Sequence, residues 1–125
     1  MKMIKKSVVE KKNLRSNVIW EKDILASQDC PFIVKLFSSF QTNSNLYYIL
    51  EFVPGGELLH HLKRFKRFKD DIAIFYAAEI LIALEHLHQK DIIYRDLKPE
   101  NVLIGFDGHI KLTDFGLSKY LEKDG

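Results

Sequence analysis

Apolar positions along the chain change period several times, and each change marks a predicted element. Residues 13–26 carry Leu14, Val18, Ile24 and Leu25 at roughly helical spacing, which predicts a helix. Asp29-Cys30-Pro31 ends it, because the residue before a proline is driven out of helical dihedrals. Residues 33–40 and 46–53 are rich in β-branched and aromatic side chains and read as strands joined by the polar turn Thr42-Asn43-Ser44-Asn45. Pro54-Gly55-Gly56 breaks the chain sharply, and a short helix is expected from residue 57 to about residue 64. Asp70 and Asp71 are placed to cap a further helix and to favour its dipole. That helix carries Ile72, Phe75, Tyr76, Ala78, Ile80, Leu81, Ala83, Leu84 and Leu87 around much of its circumference, so it is expected to be largely buried. After Asp91, residues 102–104 and 110–112 are short strand candidates around Asp107-Gly108, a hairpin signal. The resulting order is α+β, with Pro54-Gly55-Gly56 as a hinge between two lobes.

Composition narrows the setting without choosing a function. A chain of 125 residues with 46% hydrophobic and 29% charged residues suits one modest core. A net charge of +2 gives no strong electrostatic case for nucleic acid or membrane, and the basic run Lys63, Arg64, Lys66, Arg67 and Lys69 reads as a solvated helix end. A single cysteine excludes an internal disulfide, and Cys30 is expected to be a small buried hydrophobe. No apolar run has the length of a signal peptide or a membrane span, so a cytoplasmic or nuclear protein is expected. His60, His61, His86, His88 and His109 have no carboxylate or cysteine at metal-ligand spacing and are expected to be structural or exposed.

The chemistry concentrates in Tyr94-Arg95-Asp96-Leu97-Lys98-Pro99-Glu100-Asn101. Phosphoryl transfer needs an oriented acceptor and neutralised charge on the phosphate oxygens. Asp96 is suited to accept a hydroxyl proton, Lys98 to stabilise the transferring group, and Asn101 to bind a metal ion through its amide oxygen. Thirteen positions after Asn101 stands Asp114-Phe115-Gly116, where Asp114 is suited to be a second metal ligand and Phe115 to pack below it. Alone the tripeptide is weak evidence; after the first motif and a small hairpin it is strong.

In this order and spacing the two motifs resemble the catalytic loop and metal-binding turn of eukaryotic protein kinases, with Tyr94 where the family usually has histidine. Further likeness covers essentially the whole chain. Tyr94-Arg95-Asp96 with the stretch from Leu112 to Lys119 is similar to the AGC group of serine/threonine kinases. The resemblance implies a partial bilobal fold, with residues 1–53 as part of the small lobe, a sheet with one helix. Residues 54–125 would be part of the helical large lobe, from the hinge end to the start of the activation loop. It implies ATP and Mg²⁺ as cofactors. Lys2 would pair with the α- and β-phosphates and Glu21, nineteen positions on, would hold Lys2. Glu51 and Val53 would offer backbone groups to adenine, Leu50 would stand at the back of the pocket, Leu103 under the ring, and Glu57 near the ribose. Leu25, Leu36, Tyr94 and Phe115 would form a stack coupling the helix to the metal turn. Glu57 and Glu100 imply protein substrates with Ser or Thr near arginine, and an upstream activating kinase is expected as partner.

Three readings follow from the resemblance: a fragment of an active kinase, a catalytically inactive kinase-like scaffold, and a truncated decoy. Every catalytic residue expected in this window is present, which favours the first. The Gly-rich strand pair and the large helical platform are expected to lie outside this stretch. By themselves the 125 residues are expected to be marginally stable and inactive.

Overall fold

A computed structural model describes residues 1–122. β1 (Lys2–Lys5), β2 (Leu36–Gln41) and β3 (Asn45–Leu50) form an antiparallel sheet in the order β1-β3-β2. The β2–β3 turn closes by two bonds between the same residues. The Thr42 N–H donates to Asn45 O at 2.9 Å, and the Asn45 N–H donates to Thr42 Oγ1 at 3.1 Å. Phe40 and Tyr47 are cross-strand partners, and their rings stack with centroids 4.7 Å apart.

Between β1 and the predicted helix lies α1 (Lys6–Lys11), which the sequence pattern did not announce. It buries one side chain, Val9, and six residues are too few to show a helical period. The predicted helix is α2 (Arg15–Ser27). Its start is displaced from residue 13 because Asn13 adopts a left-handed φ of 53°. Ile24 and Leu25 bury beneath the sheet, and the Tyr48 hydroxyl donates to the Val18 carbonyl at 3.2 Å.

The expected strand over residues 33–40 is shifted to 36–41, because Ile33 and Val34 are used elsewhere. Val34 N–H donates to Leu112 O at 2.9 Å, and Leu112 N–H donates to Phe32 O at 2.8 Å. The next strand ends at Leu50 rather than residue 53, and the hinge follows as irregular chain. α3 (Leu58–Phe65) and α4 (Asp70–His88) come next. β4 (Ile92–Ile93) pairs with β7 (Lys119–Tyr120), and β5 (Val102–Ile104) pairs with β6 (Ile110–Leu112). A single 3₁₀ turn, Pro99–Asn101, delivers the chain into β5.

Two expectations about α4 need correction. Asp70 and Asp71 lie within its first turn rather than at the cap; Lys69 is the N-cap and no side chain caps the helix. Their charges favour the dipole but satisfy no orphan N–H. Nor is α4 largely buried. Glu79, Ala83 and Leu87 are buried, while Ile74 and Leu81 are 68% and 66% exposed. Cys30 is half-buried rather than a core residue. No helix among the described residues is long and apolar enough to cross a membrane.

The hinge is docked onto β5 through Gly55, whose N–H donates to Ile104 O at 2.8 Å, while Ile104 N–H donates to Gly56 O at 2.9 Å. A Cβ at position 55 would stand 2.3 Å from Ile104 O, so only glycine allows this approach.

The core runs continuously from Ile24 and Leu25 through Val34 and Tyr48 to Leu87, Tyr94, Ile110, Leu112 and Phe115. Leu87 is fully buried and Leu81 sits on the same helix facing solvent. In the 125-residue chain, Leu87→Ala is expected to cost about 2–5 kcal/mol. Leu81→Ala is expected to stay within about 0.5 kcal/mol. Urea unfolding followed by circular dichroism measures both.

Candidate active site

A cleft of about 290 Å³ opens between the sheet and the β5–β6 hairpin. Lys2, Glu21, Leu50, Glu57, Asn101, Leu103 and Asp114 line it, together with Glu100, Thr113, Leu25 and Val34. Nine of the residues singled out from sequence therefore share one concavity, at the small end of the range for ligand pockets. A second hollow of about 450 Å³ lies between α1, α2 and β3, away from these carboxylates.

β1 presents Lys2 and α2 presents Glu21 from opposite sides. Lys2 Nζ donates to both Glu21 oxygens, at 2.9 and 3.1 Å, and lies 3.7 Å from Asp114 Oδ1. Glu21 is almost fully buried, so the ammonium supplies the charge that its desolvation demands.

Asp96 and Lys98 stand just outside the cleft lining and are joined to it through Asn101. Asn101 Nδ2 donates to Asp96 Oδ2 at 2.9 Å and to the Asp96 carbonyl at 3.0 Å. Lys98 Nζ lies 3.4 Å from Asp96 Oδ1. Asn101 lines the cleft with its amide nitrogen committed to Asp96, and no hydrogen bond to its amide oxygen is found among the described residues. Asp114 contributes a half-exposed carboxylate whose Oδ1 accepts the Gly116 N–H at 3.2 Å. One amide oxygen and one carboxylate fit a hard divalent cation that keeps water and phosphate among its ligands. They do not form a self-sufficient protein cage, and no group of three His, Cys, Asp or Glu residues suited to one occurs among the described residues.

The hinge residues divide. Leu50 and Leu103 face the cleft. The Glu51 N–H is already given to Lys35 O at 2.8 Å, so its carbonyl is the group left to a ligand. Its carboxylate points away, to the Lys35 N–H at 3.1 Å and Lys111 Nζ at 3.1 Å. Val53 is buried, and its N–H makes no backbone hydrogen bond among the described residues.

Two non-glycine residues hold left-handed dihedrals here, Arg95 with φ 64° and Asp114 with φ 60°. Neighbouring bonds sustain them: Arg95 Nε donates to Leu117 O at 2.6 Å, and the Tyr94 hydroxyl donates to the Thr113 carbonyl. The Tyr94 and Phe115 rings meet edge to face at 5.2 Å, and with Leu25 and Leu36 they belong to one packed cluster. Sequence reasoning gave no role to Arg95 or Thr113, which act through the Arg95 Nε bond to Leu117 and through the backbone groups of Thr113. It also missed the carboxylate partner of His109, which is Glu79, thirty positions upstream.

Burial first, then the Asp114 and Asp96 charges, push the Tyr94 phenol well above its ordinary value. Burial, with Glu21 and Asp23, raises Tyr48 from 10.0 to about 12. A phenol whose folded value exceeds its unfolded value stabilises the fold fully below the unfolded value. That contribution fades as pH climbs toward the folded one. Stability is therefore expected to fall from about pH 10 upward, more shallowly in Tyr48→Phe, as read from denaturant midpoints across pH. Lys2→Met strands a buried carboxylate. It is expected to cost about 1–3 kcal/mol, largely restored by adding Glu21→Gln, in a double-mutant cycle of unfolding free energies.

Comparison with known families and proteins agrees with this geometry. The protein kinase domain matches residues 1–125. The chain is 52% identical over 127 residues to "Serine/threonine-protein kinase SCH9" of Saccharomyces cerevisiae, covering 99% of this chain and 15% of that protein. It is 49% identical to "Serine/threonine-protein kinase YPK1" of the same yeast, covering 99% of this chain and 18% of the relative. With the "RAC family serine/threonine-protein kinase homolog" of Dictyostelium discoideum it shares 49% identity, covering 95% of this chain and 27% of the relative. The chain thus spans less than a third of the length of each of these relatives.

Proposed function

The chain belongs to the protein kinase domain family, among AGC-group serine/threonine kinases, and from that premise we propose that it is part of an ATP-dependent kinase that phosphorylates protein Ser or Thr. The observation that carries the reading is the linked set Lys98–Asp96–Asn101 at one side of the cleft and Glu21–Lys2–Asp114 at the other. In this reading residues 1–53 belong to the small lobe and 54–125 to the large lobe.

Each side chain then has a task its surroundings allow. Asp96 orients the acceptor hydroxyl and takes its proton; Asn101 Nδ2 and Lys98 fix the carboxylate in one rotamer for that purpose. Lys2, steadied by Glu21, gives its remaining donor capacity to phosphate oxygens. Leu50 and Leu103 supply apolar walls for adenine, with the Glu51 carbonyl and the Val53 N–H as its polar partners. Asn101 and Asp114 would hold Mg²⁺, which when bound neutralises charge on the phosphates. The Glu57 and Glu100 carboxylates on the cleft wall suit substrates carrying arginine near the acceptor.

The test is Asp96→Ala in the whole protein that carries this chain, assayed with ATP and an arginine-containing serine peptide. Turnover is expected to fall by roughly 10²–10⁴-fold, while affinity for a fluorescent ATP analogue is retained. Unchanged turnover would show that Asp96 does not serve the acceptor.

A further inference from the structure

Besides Glu21, one other charged side chain is buried among the described residues: Glu79, in the middle of α4 and 5% exposed. It has no lysine or arginine partner there. Instead its Oε1 accepts the Ile110 N–H at 3.1 Å, and its Oε2 lies 2.6 Å from His109 Nδ1. A carboxylate only accepts, so the imidazole carries its proton on Nδ1 and donates. Burying such a group is costly, and an apolar residue would pack α4 against β6 at least as well. What the carboxylate adds is direction: two bonds to adjacent residues fix where the hairpin sits on the helix.

The hairpin so fixed is the chain segment joining Asn101 to Asp114. β5 begins directly after Asn101, and β6 ends two residues before Asp114. The Thr113 N–H closes its base on Asn101 O at 3.0 Å. Both outer edges are already bonded, to Gly55 and Gly56 on one side and to residues 32 and 34 on the other. Those edge bonds hold the hairpin within its own plane. Against the underlying helix it rests on the core that Ile110 and Leu112 share with Ala83 and Leu87, and Glu79 adds the directional hydrogen bonds there.

His109 completes the anchor. Its ring lies 5.6 Å from that of Phe75 on α4 and 6.3 Å from that of Phe32 in the connection before β2. Its backbone N–H is taken by Asp107 Oδ1 at 3.2 Å.

We infer that Glu79, with His109, is a positioning residue for the Asn101–Asp114 pair, holding the hairpin that sets how the two ligands face each other. Glu79 lines neither the cleft nor the acceptor carboxylate, so it acts through the hairpin alone. The inference rests on the reading of Asn101 and Asp114 as ligands of a divalent cation.

The experiment is Mg²⁺ titration by calorimetry, on the whole protein bound to a non-hydrolysable ATP analogue, with amide exchange at Ile110 recorded alongside. Glu79→Leu is expected to raise the Mg²⁺ dissociation constant about tenfold, the low end for loss of an outer partner of a metal site. His109→Phe keeps the ring contacts and is expected to show a smaller rise. Glu79→Gln retains an acceptor for Ile110 and is expected to restore most of the affinity and the amide protection. Should Glu79→Leu fail to fold, the His109→Phe and Glu79→Gln pair decides. Wild-type Mg²⁺ affinity in the folded variants overturns the positioning role, provided Asp114→Asn abolishes binding. If Asp114→Asn binds Mg²⁺ as the wild type does, the ligand reading is what fails.

Discussion

The β5–β6 hairpin is hydrogen-bonded on both outer edges, and the arrangement of the cleft depends on that. Val34 and Leu112 stitch it to the connection from α2, Gly55 and Ile104 stitch it to the hinge, and Thr113 closes it on Asn101. Each such bond adds only about 0.5–1.5 kcal/mol net, but each buried group left unpaired costs about 1–3 kcal/mol. The penalty for disconnecting the hairpin therefore exceeds the gain from forming it, which makes its position well determined. The elements it joins carry the cleft: the hinge bears Val53, β5 bears Leu103, and the flanking turns bear Asn101 and Asp114.

The carboxylates of Glu21, Asp96 and Asp114 each have a cation beside them. Lys2 stands between Glu21 and Asp114, and Lys98 and the Asn101 amide stand against Asp96. Between these clusters the backbone is bent into left-handed conformations at Arg95 and Asp114, each a strain of about 1–3 kcal/mol. The strain is supported by tertiary bonds from Arg95 and Tyr94 and by the local bond from the Gly116 N–H to Asp114. Local preference would have extended the chain there; the surrounding contacts override it and place Asp114 on the cleft wall.

How much of this was legible in the sequence depends on the range of the interaction. The Asp107-Gly108 hairpin, the turn at Thr42–Asn45 and the glycine-dependent hinge are local, and turn chemistry announces them. The Lys2–Glu21 contact spans nineteen residues and followed only from a family resemblance. The α1 helix was too short to show a period, and Ile33 and Val34 looked like strand because nothing local says that their backbone is claimed by Leu112. His109 looked isolated because its partner is on another element.

α4 shows most clearly why pattern alone falls short. From Ala73 to Leu84 the helix carries a single charged residue, Glu79, so its apolar faces are nearly equivalent and burial cannot choose among them. Amphipathic reasoning turns that charge outward. The helix does the opposite, burying Glu79 with Ala83 and Leu87 and leaving Ile74 and Leu81 in solvent. An unpaired N–H at Ile110 and an imidazole at His109 both need an acceptor, and only one rotation of the helix supplies it. When apolar area is nearly the same in every orientation, directional bonds decide, and the rotation of α4 about its own axis is set by the hairpin it supports.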